Sequence, residues 1–228
     1  MDRAEFREAK REIMMDIYKL IKAGNRHRDK KIWSVNDLVS VYPDEKRESL
    51  ARFIRRQNAN GILRPLITEG RCTGWYFPDN SPDVFEAALF LDPGAVISSL
   101  SALSLHGITA QISYSATCVT RAKRGGRVYT PIATTVGNVE FYHQPDRIMD
   151  LEPEGVHPDR RLASAEKALL DHIYIYRNRN RGRSPDLDEI DIDVLDQERL
   201  RRYSKHYPGT VWKTLKNAAP FLEESRGR

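Results

Sequence analysis

Pro43 constrains this chain more than any other residue, because it stands between two short stretches of helical pattern. A proline disfavours helix in the residue before it and suits the first turn of a helix after it. On its N-terminal side Ser34 is followed three residues later by Asp37, a variant of the capping box in which a side-chain oxygen takes an orphan amide. On its C-terminal side Asp44 is placed to cap a second helix, and the spacing runs that helix to about Asn60, where Gly61 supplies a left-handed stop. Leu63–Ile67 and Gly74–Phe77 then read as strands joined through Thr68–Thr73, a turn that carries a glycine. Helix, tight turn, helix and hairpin over Ser34–Phe77 follow the order of a winged helix-turn-helix.

The second helix sorts its residues into two faces. Leu50, Phe53, Ile54 and Gln57 share one, and the first three point into a core. Glu45, Glu48, Ser49, Arg52, Arg55 and Arg56 collect on the other. Arginine is the commonest reader of bases and phosphates, and a recognition helix enters the major groove with its N-terminal half leading. Arg64 and Arg71 stand where a wing would touch phosphates. The same pattern fits an ordinary amphipathic helix with a solvated basic face; the order of the elements is what favours DNA.

Charge placement points the same way. Residues 1–78 hold 17 Lys+Arg against 11 Asp+Glu, and residues 79–228 hold 20 against 21, for a net charge of +5. The positive excess therefore lies with the helix-turn-helix, as expected if that part meets a polyanion. At 228 residues the chain has room for one large or two small domains with proper cores. No apolar run approaches a membrane span, and the N-terminal residues lack the apolar stretch of a signal peptide. Cys72 and Cys118 are the only cysteines and form no CxxC. That predicts reduced thiols and a cytoplasmic address, with a single disulfide as the other reading.

Periodicity organises the rest. Phe6, Ile13, Ile17, Leu20 and Ile21 predict a long amphipathic helix from Arg3 to about Ala23, ended by Gly24. Residues 25–31 form a basic loop that either touches phosphates or is a hydrated connector, and Trp33 suits a hydrophobic staple ahead of Ser34. Pro78–Asp83, with two prolines among polar turn formers, marks a boundary between domains at 1–78 and 84–228. Beyond it, Val84–Leu91 is a short apolar helix. Ser98 or Ser99 can cap a helix over Leu100–His106, closed by Gly107, where His106 suits the helix end structurally. Ser115–Thr120 is a strand, and Arg121–Arg127 is a basic turn, either a second anion site or a solvated loop. Gly137-Asn138 signals a II′ hairpin between Thr134–Val136 and Val139–Tyr142. Ser164–Tyr176 is a capped helix whose apolar stripe is Ala165, Leu169, Ile173 and Tyr176. The basic run Arg177–Arg183 and the acidic run Asp186–Asp196 are expected to pair with each other as a mobile loop. Helices over about Val194–Tyr207 and Thr210–Leu222 follow, so the class is α+β with a mixed second domain.

Catalytic and cofactor chemistry is not legible. No Walker loop, GxGxxG, HExxH or EF-hand pattern occurs, and the six histidines lack metal-ligand spacing. Glu166, Lys167, Asp171 and His172 are the nearest to an acid/base set, but Lys167 and Asp171 read as an ordinary i,i+4 surface pair. A non-enzyme without catalytic residues, metal or cofactor is the expectation.

Two segments carry a family resemblance: Val96-Ile-Ser-Ser-Leu-Ser-Ala-Leu-Ser-Leu-His-Gly107 and Leu162-Ala-Ser-Ala-Glu-Lys-Ala-Leu-Leu-Asp171. With the strand-ending triplet Val119-Thr120-Arg121 between them, the chain resembles the AbiEi antitoxins of type IV, or abortive-infection, toxin–antitoxin systems over roughly residues 80–220. The resemblance implies an N-terminal domain that binds inverted-repeat operator DNA and represses its own operon. It implies a C-terminal antitoxin domain that counters a nucleotidyltransferase-type toxin, and a monomer or weak dimer that is cooperative on DNA. Carried onto this chain, it places Ser49, Arg52, Arg55 and Arg56 in the major groove, with Lys46 and Arg47 near its backbone. Arg64 and Arg71 would lie on the wing, and Arg121, Lys123, Arg124 and Arg127 in a supporting patch. The alternative is a winged-helix regulator or protein-interaction module with no antitoxin role.

Overall fold

The computed structural model describes residues 30–111, 113–122, 131–152, 155–156, 161–220 and 222. The helix expected over Arg3–Ala23, nearly all of the basic loop before Lys31, and Lys123, Arg124 and Arg127 lie outside the described residues. The described chain is α+β, and it divides into two compact units, Met1–Pro82 and Asp83–Arg228.

In the first unit, α1 (Val35–Val41) and α2 (Arg47–Ala59) are followed by the antiparallel strands β1 (Arg64–Thr68) and β2 (Arg71–Tyr76). The capping box at Ser34 forms in full. Asp44 caps nothing: the chain turns through Pro43–Glu45, and α2 begins two residues later with Lys46 at its N-cap and no side-chain cap. Gly61 closes α2 as expected, its amide reaching Asn58 and that of Ile62 reaching Gln57, the paired bonds of a Schellman motif. The hairpin is longer and tighter than its sequence implied. Glu69 and Gly70, both at positive φ, make a two-residue turn, and a bulge at Thr73 absorbs the register shift. Trp33 does more than staple a helix, because it bridges to Trp75 through two backbone bonds of 2.8 Å. Trp33, Leu38, Leu50, Ile54 and Leu63 form the core of this unit.

In the second unit α3 (Val84–Leu91), β3 (Val96–Ile97), α4 (Ser99–Leu105), β4 (Ser115–Thr120), β5 (Ile132–Thr134), β6 (Gly137–His143) and a short α5 (Asp146–Met149) precede three helices. These are α6 (Ala165–Arg179), α7 (Gln197–Ser204) and α8 (Gly209–Ala218). The strands lie in the order β5-β6-β4-β3, with β4 and β6 parallel and the outer pairs antiparallel. The hairpin turn is Thr135-Val136, not Gly137-Asn138. Gly137 instead opens β6 at φ 134, where an added Cβ would lie 2.9 Å from the Val84 side chain, so the glycine serves close packing.

α6 is the axis of this unit, packed against α4, α7 and α8. Its apolar residues are not confined to one stripe: every residue from Glu166 to Ile173 is buried. Leu169, Leu170 and Ile173 are fully enclosed, each stabilising the fold by about 2 kcal/mol through burial alone. The acidic run is not a mobile partner of the basic one. Pro185, Leu187, Ile190, Ile192 and Leu195 are buried and anchor it, Asp191 N donates to Ile108 O, and its carboxylates face solvent. Among the described residues, no helix is long and apolar enough to cross a membrane.

Candidate functional site

The first candidate surface is built from α1, α2 and the hairpin. Ser34 Oγ accepts the Asp37 amide at 3.2 Å, Asp37 Oδ2 accepts the Ser34 amide at 2.7 Å, and Lys30 Nζ pairs with the other carboxylate oxygen at 2.5 Å. Partial burial pushes the Asp37 carboxyl up, but Lys30 and the two Ser34 bonds together hold it below the usual carboxylate range. The start of α1 is thereby locked. With Leu50, Ile54 and Gln57 turned inward, Lys46, Arg47, Arg52, Arg55 and Arg56 are all exposed on α2, while Ser49 is half-buried. Glu48 shares their exposure and dilutes the positive face. Arg47 Nη1 donates to Asn36 Oδ1 on α1, a contact between exposed side chains that spacing along one helix could not reveal.

Arg64 and Arg71 are exposed but not together. Arg71 pairs with Thr68 beside the turn, whereas Arg64 pairs with Tyr76 at the base of the hairpin, about 13 Å away along the strand. Only Arg71 stands at the tip of the hairpin. Arg121 belongs to the second unit, where its guanidinium meets Asp150 at 2.6 Å and Asp146 at 2.8 Å. Those bonds, Asp150 first, hold its proton more tightly than usual, and they cancel much of the charge expected to join an anion-binding patch.

The second candidate lies inside the second unit, and the sequence misread it. Lys167 and Asp171 are not a surface pair: both side chains are fully buried, and Nζ lies 2.7 Å from Oδ2. Asp171 accepts three further bonds, from Ser98 Oγ at 2.6 Å, Gln144 Nε2 at 2.6 Å and Tyr207 OH at 2.5 Å. Burial, then the neighbouring Asp171, drives the Tyr207 hydroxyl well above its ordinary pKa. Four segments thus meet on one carboxylate, whose acceptor sites are all filled. A carboxylate so committed organises a core.

Neither Ser98, the N-cap of α4, nor Ser99, its first residue, caps the helix with its side chain, because both hydroxyls point to α6. Ser98 reaches Asp171, and Ser99, held at φ 55, is hydrogen-bonded to His172 Nδ1 at 3.1 Å. Burial lowers the His172 pKa to about 4, so this imidazole is neutral at physiological pH. His106 Nε2 donates to Ala163 O at 2.8 Å, a structural role. Glu166 is spoken for by the Asp196 amide and Arg199, and Glu152 by the Ser164 amide and Tyr203. A groove of about 680 Å3 is lined by residues 187–188, 190–194 and 218–219, and none of these titratable groups faces it. Among the described residues no cluster of His, Cys, Asp and Glu could hold a metal ion.

The convergence of Ser98, Gln144 and Tyr207 on Asp171 escaped sequence reasoning because they lie 73, 27 and 36 positions from it. The one available signal was the run Lys167-Ala-Leu-Leu-Asp171, two opposite charges one turn apart within apolar neighbours. Compared with known proteins, the chain matches no family model and no curated protein.

Proposed function

We propose that the chain is a transcriptional autorepressor and antitoxin of the AbiEi type, binding double-stranded operator DNA through a winged helix-turn-helix in its first unit. The observation that carries the DNA reading is the sorting of α2, with Leu50 and Ile54 inward and Arg47, Arg52, Arg55 and Arg56 outward. The hairpin follows it directly and presents Arg71 beside its turn. Arg47, Arg52, Arg55 and Arg56 share the base and phosphate contacts between them. The antitoxin reading draws support from the two segments that carry the resemblance, Val96–Gly107 and Leu162–Asp171, which lie against each other through Ser98–Asp171 and His106–Ala163. Its partner is a nucleotidyltransferase-type toxin, and its place of action is the cytoplasm.

The test is a mobility shift of DNA from upstream of the chain's own gene, titrated from low to moderate salt. Binding is expected to weaken steeply as salt rises, because several phosphates are neutralised. Co-expression with the product of the neighbouring gene then reads toxin rescue. No shift at low salt sinks the repressor half and leaves an interaction module; rescue that fails sinks the antitoxin half.

A further inference from the structure

Arg47 differs from Arg52 and Arg55 of the same helix in one respect. It is the first residue of α2, and its guanidinium is held by Asn36, the second residue of α1. Arg52 and Arg55, one and two turns further on, have no hydrogen bond or ion pair among the described residues. A hydrogen bond between two exposed side chains adds little to stability, since water competes for both partners. What it supplies is orientation. The scaffold behind it is itself locked, with Asp37 closed on Ser34 and Lys30, so Asn36 is presented from a fixed first turn.

We propose that Arg47, oriented by Asn36, reads the O6 and N7 edge of a guanine, and that the unheld Arg52 and Arg55 contact phosphates. This rests on the DNA-binding reading above and reverses the assignment of these residues that the family resemblance implies. The physical reason lies in the two kinds of target. A guanine edge is met by two parallel N–H donors from a planar fork, which demands a defined guanidinium plane. A phosphate accepts a cation over a wide range of directions and carries no base identity. An arginine whose plane is already set loses less freedom on making a bidentate contact, whereas a mobile one follows the backbone equally well. Position agrees: the N-terminal end of a recognition helix goes deepest into the major groove, and Arg47 stands at that end. Asn36 is a positioning residue, acting through Arg47.

The experiment is selection from a random-core duplex pool with the full chain, followed by anisotropy titrations. These use the selected duplex and its single-base variants. Asn36→Ala is expected to reduce the preference for guanine by about tenfold at one position of each half-site, with the other positions keeping theirs. Arg47→Lys, which keeps the charge but not the fork, is expected to do the same. Thermal unfolding of both variants should match the parent, since neither side chain is buried. The proposal is overturned if both variants keep the parental preference at every position. It is equally overturned if Arg47→Ala weakens all duplexes alike and lowers the salt slope by about one, the signature of a phosphate contact. If the parent chain enriches no sequence and binds no duplex at low salt, the DNA reading itself has failed, a result distinct from either.

Discussion

α2 and α6 are helices of 13 and 15 residues, both carry acidic and basic side chains, and they dispose of them in opposite ways. α2 has one buried face, so its charges fall on solvent. α6 is enclosed from Glu166 to Ile173, so Lys167 and Asp171 are caught inside and must satisfy each other. An i,i+4 pair of opposite charge is therefore not by its spacing a surface feature. What decides is how many sides of the helix other elements cover. The two arrangements also do different work: the charges of α2 face solvent, while charge within α6 holds four segments in register.

The sharpest way to break this contrast is to remove Asp171. Asp171→Ala strands the Lys167 ammonium and three donors in the core, and should lower the unfolding free energy in urea by about 3–5 kcal/mol. A loss below about 1 kcal/mol would mean that the pair is not enclosed, and the contrast would collapse.

A second test uses His172. Above pH 6.5 the imidazole is neutral in both folded and unfolded chains; between 6.5 and about 4 the unfolded chain takes up a proton that the buried ring refuses. Stability should therefore fall as pH falls through that window, by about 3 kcal/mol in total from this group. Denaturation of His172→Gln at pH 7 and pH 4 should show a correspondingly smaller drop than the parent chain, and equal drops would contradict a buried neutral ring.

On α2 the expectations invert. On the DNA-binding reading, Arg52→Ala should weaken binding nearly equally across duplex sequences and lower the salt slope by about one, as loss of a phosphate contact does. Its unfolding midpoint should stay with the parent's, because the side chain is exposed. A variant that binds normally but unfolds early would make α2 a structural helix like α6. The smallest expected effect is Ser34→Ala, which removes one half of the capping box and should cost about 1 kcal/mol of stability, read by thermal unfolding.

What the sequence determined by itself was local. The Ser34–Asp37 cap, the glycine stop after α2, the apolar helix Val84–Leu91 and the Ser164 cap of α6 each depend on residues within a turn of one another. Backbone donors at a helix end look for the nearest acceptor, so short-range patterns predict them well. Where the local rule failed, a distant partner had outbid it. Ser98 and Ser99 had the right residue type to cap α4, but their hydroxyls found a carboxylate and an imidazole 73 positions away. Asp44 yielded its cap to a turn set by Tyr42 and Pro43, and Gly137 was kept for the approach of Val84. Only the tertiary structure decided that Lys167 and Asp171 are inside and that Asn36 holds Arg47. Burial is a property of what surrounds a helix, and a single hydrogen bond between two helices leaves no periodic trace in either.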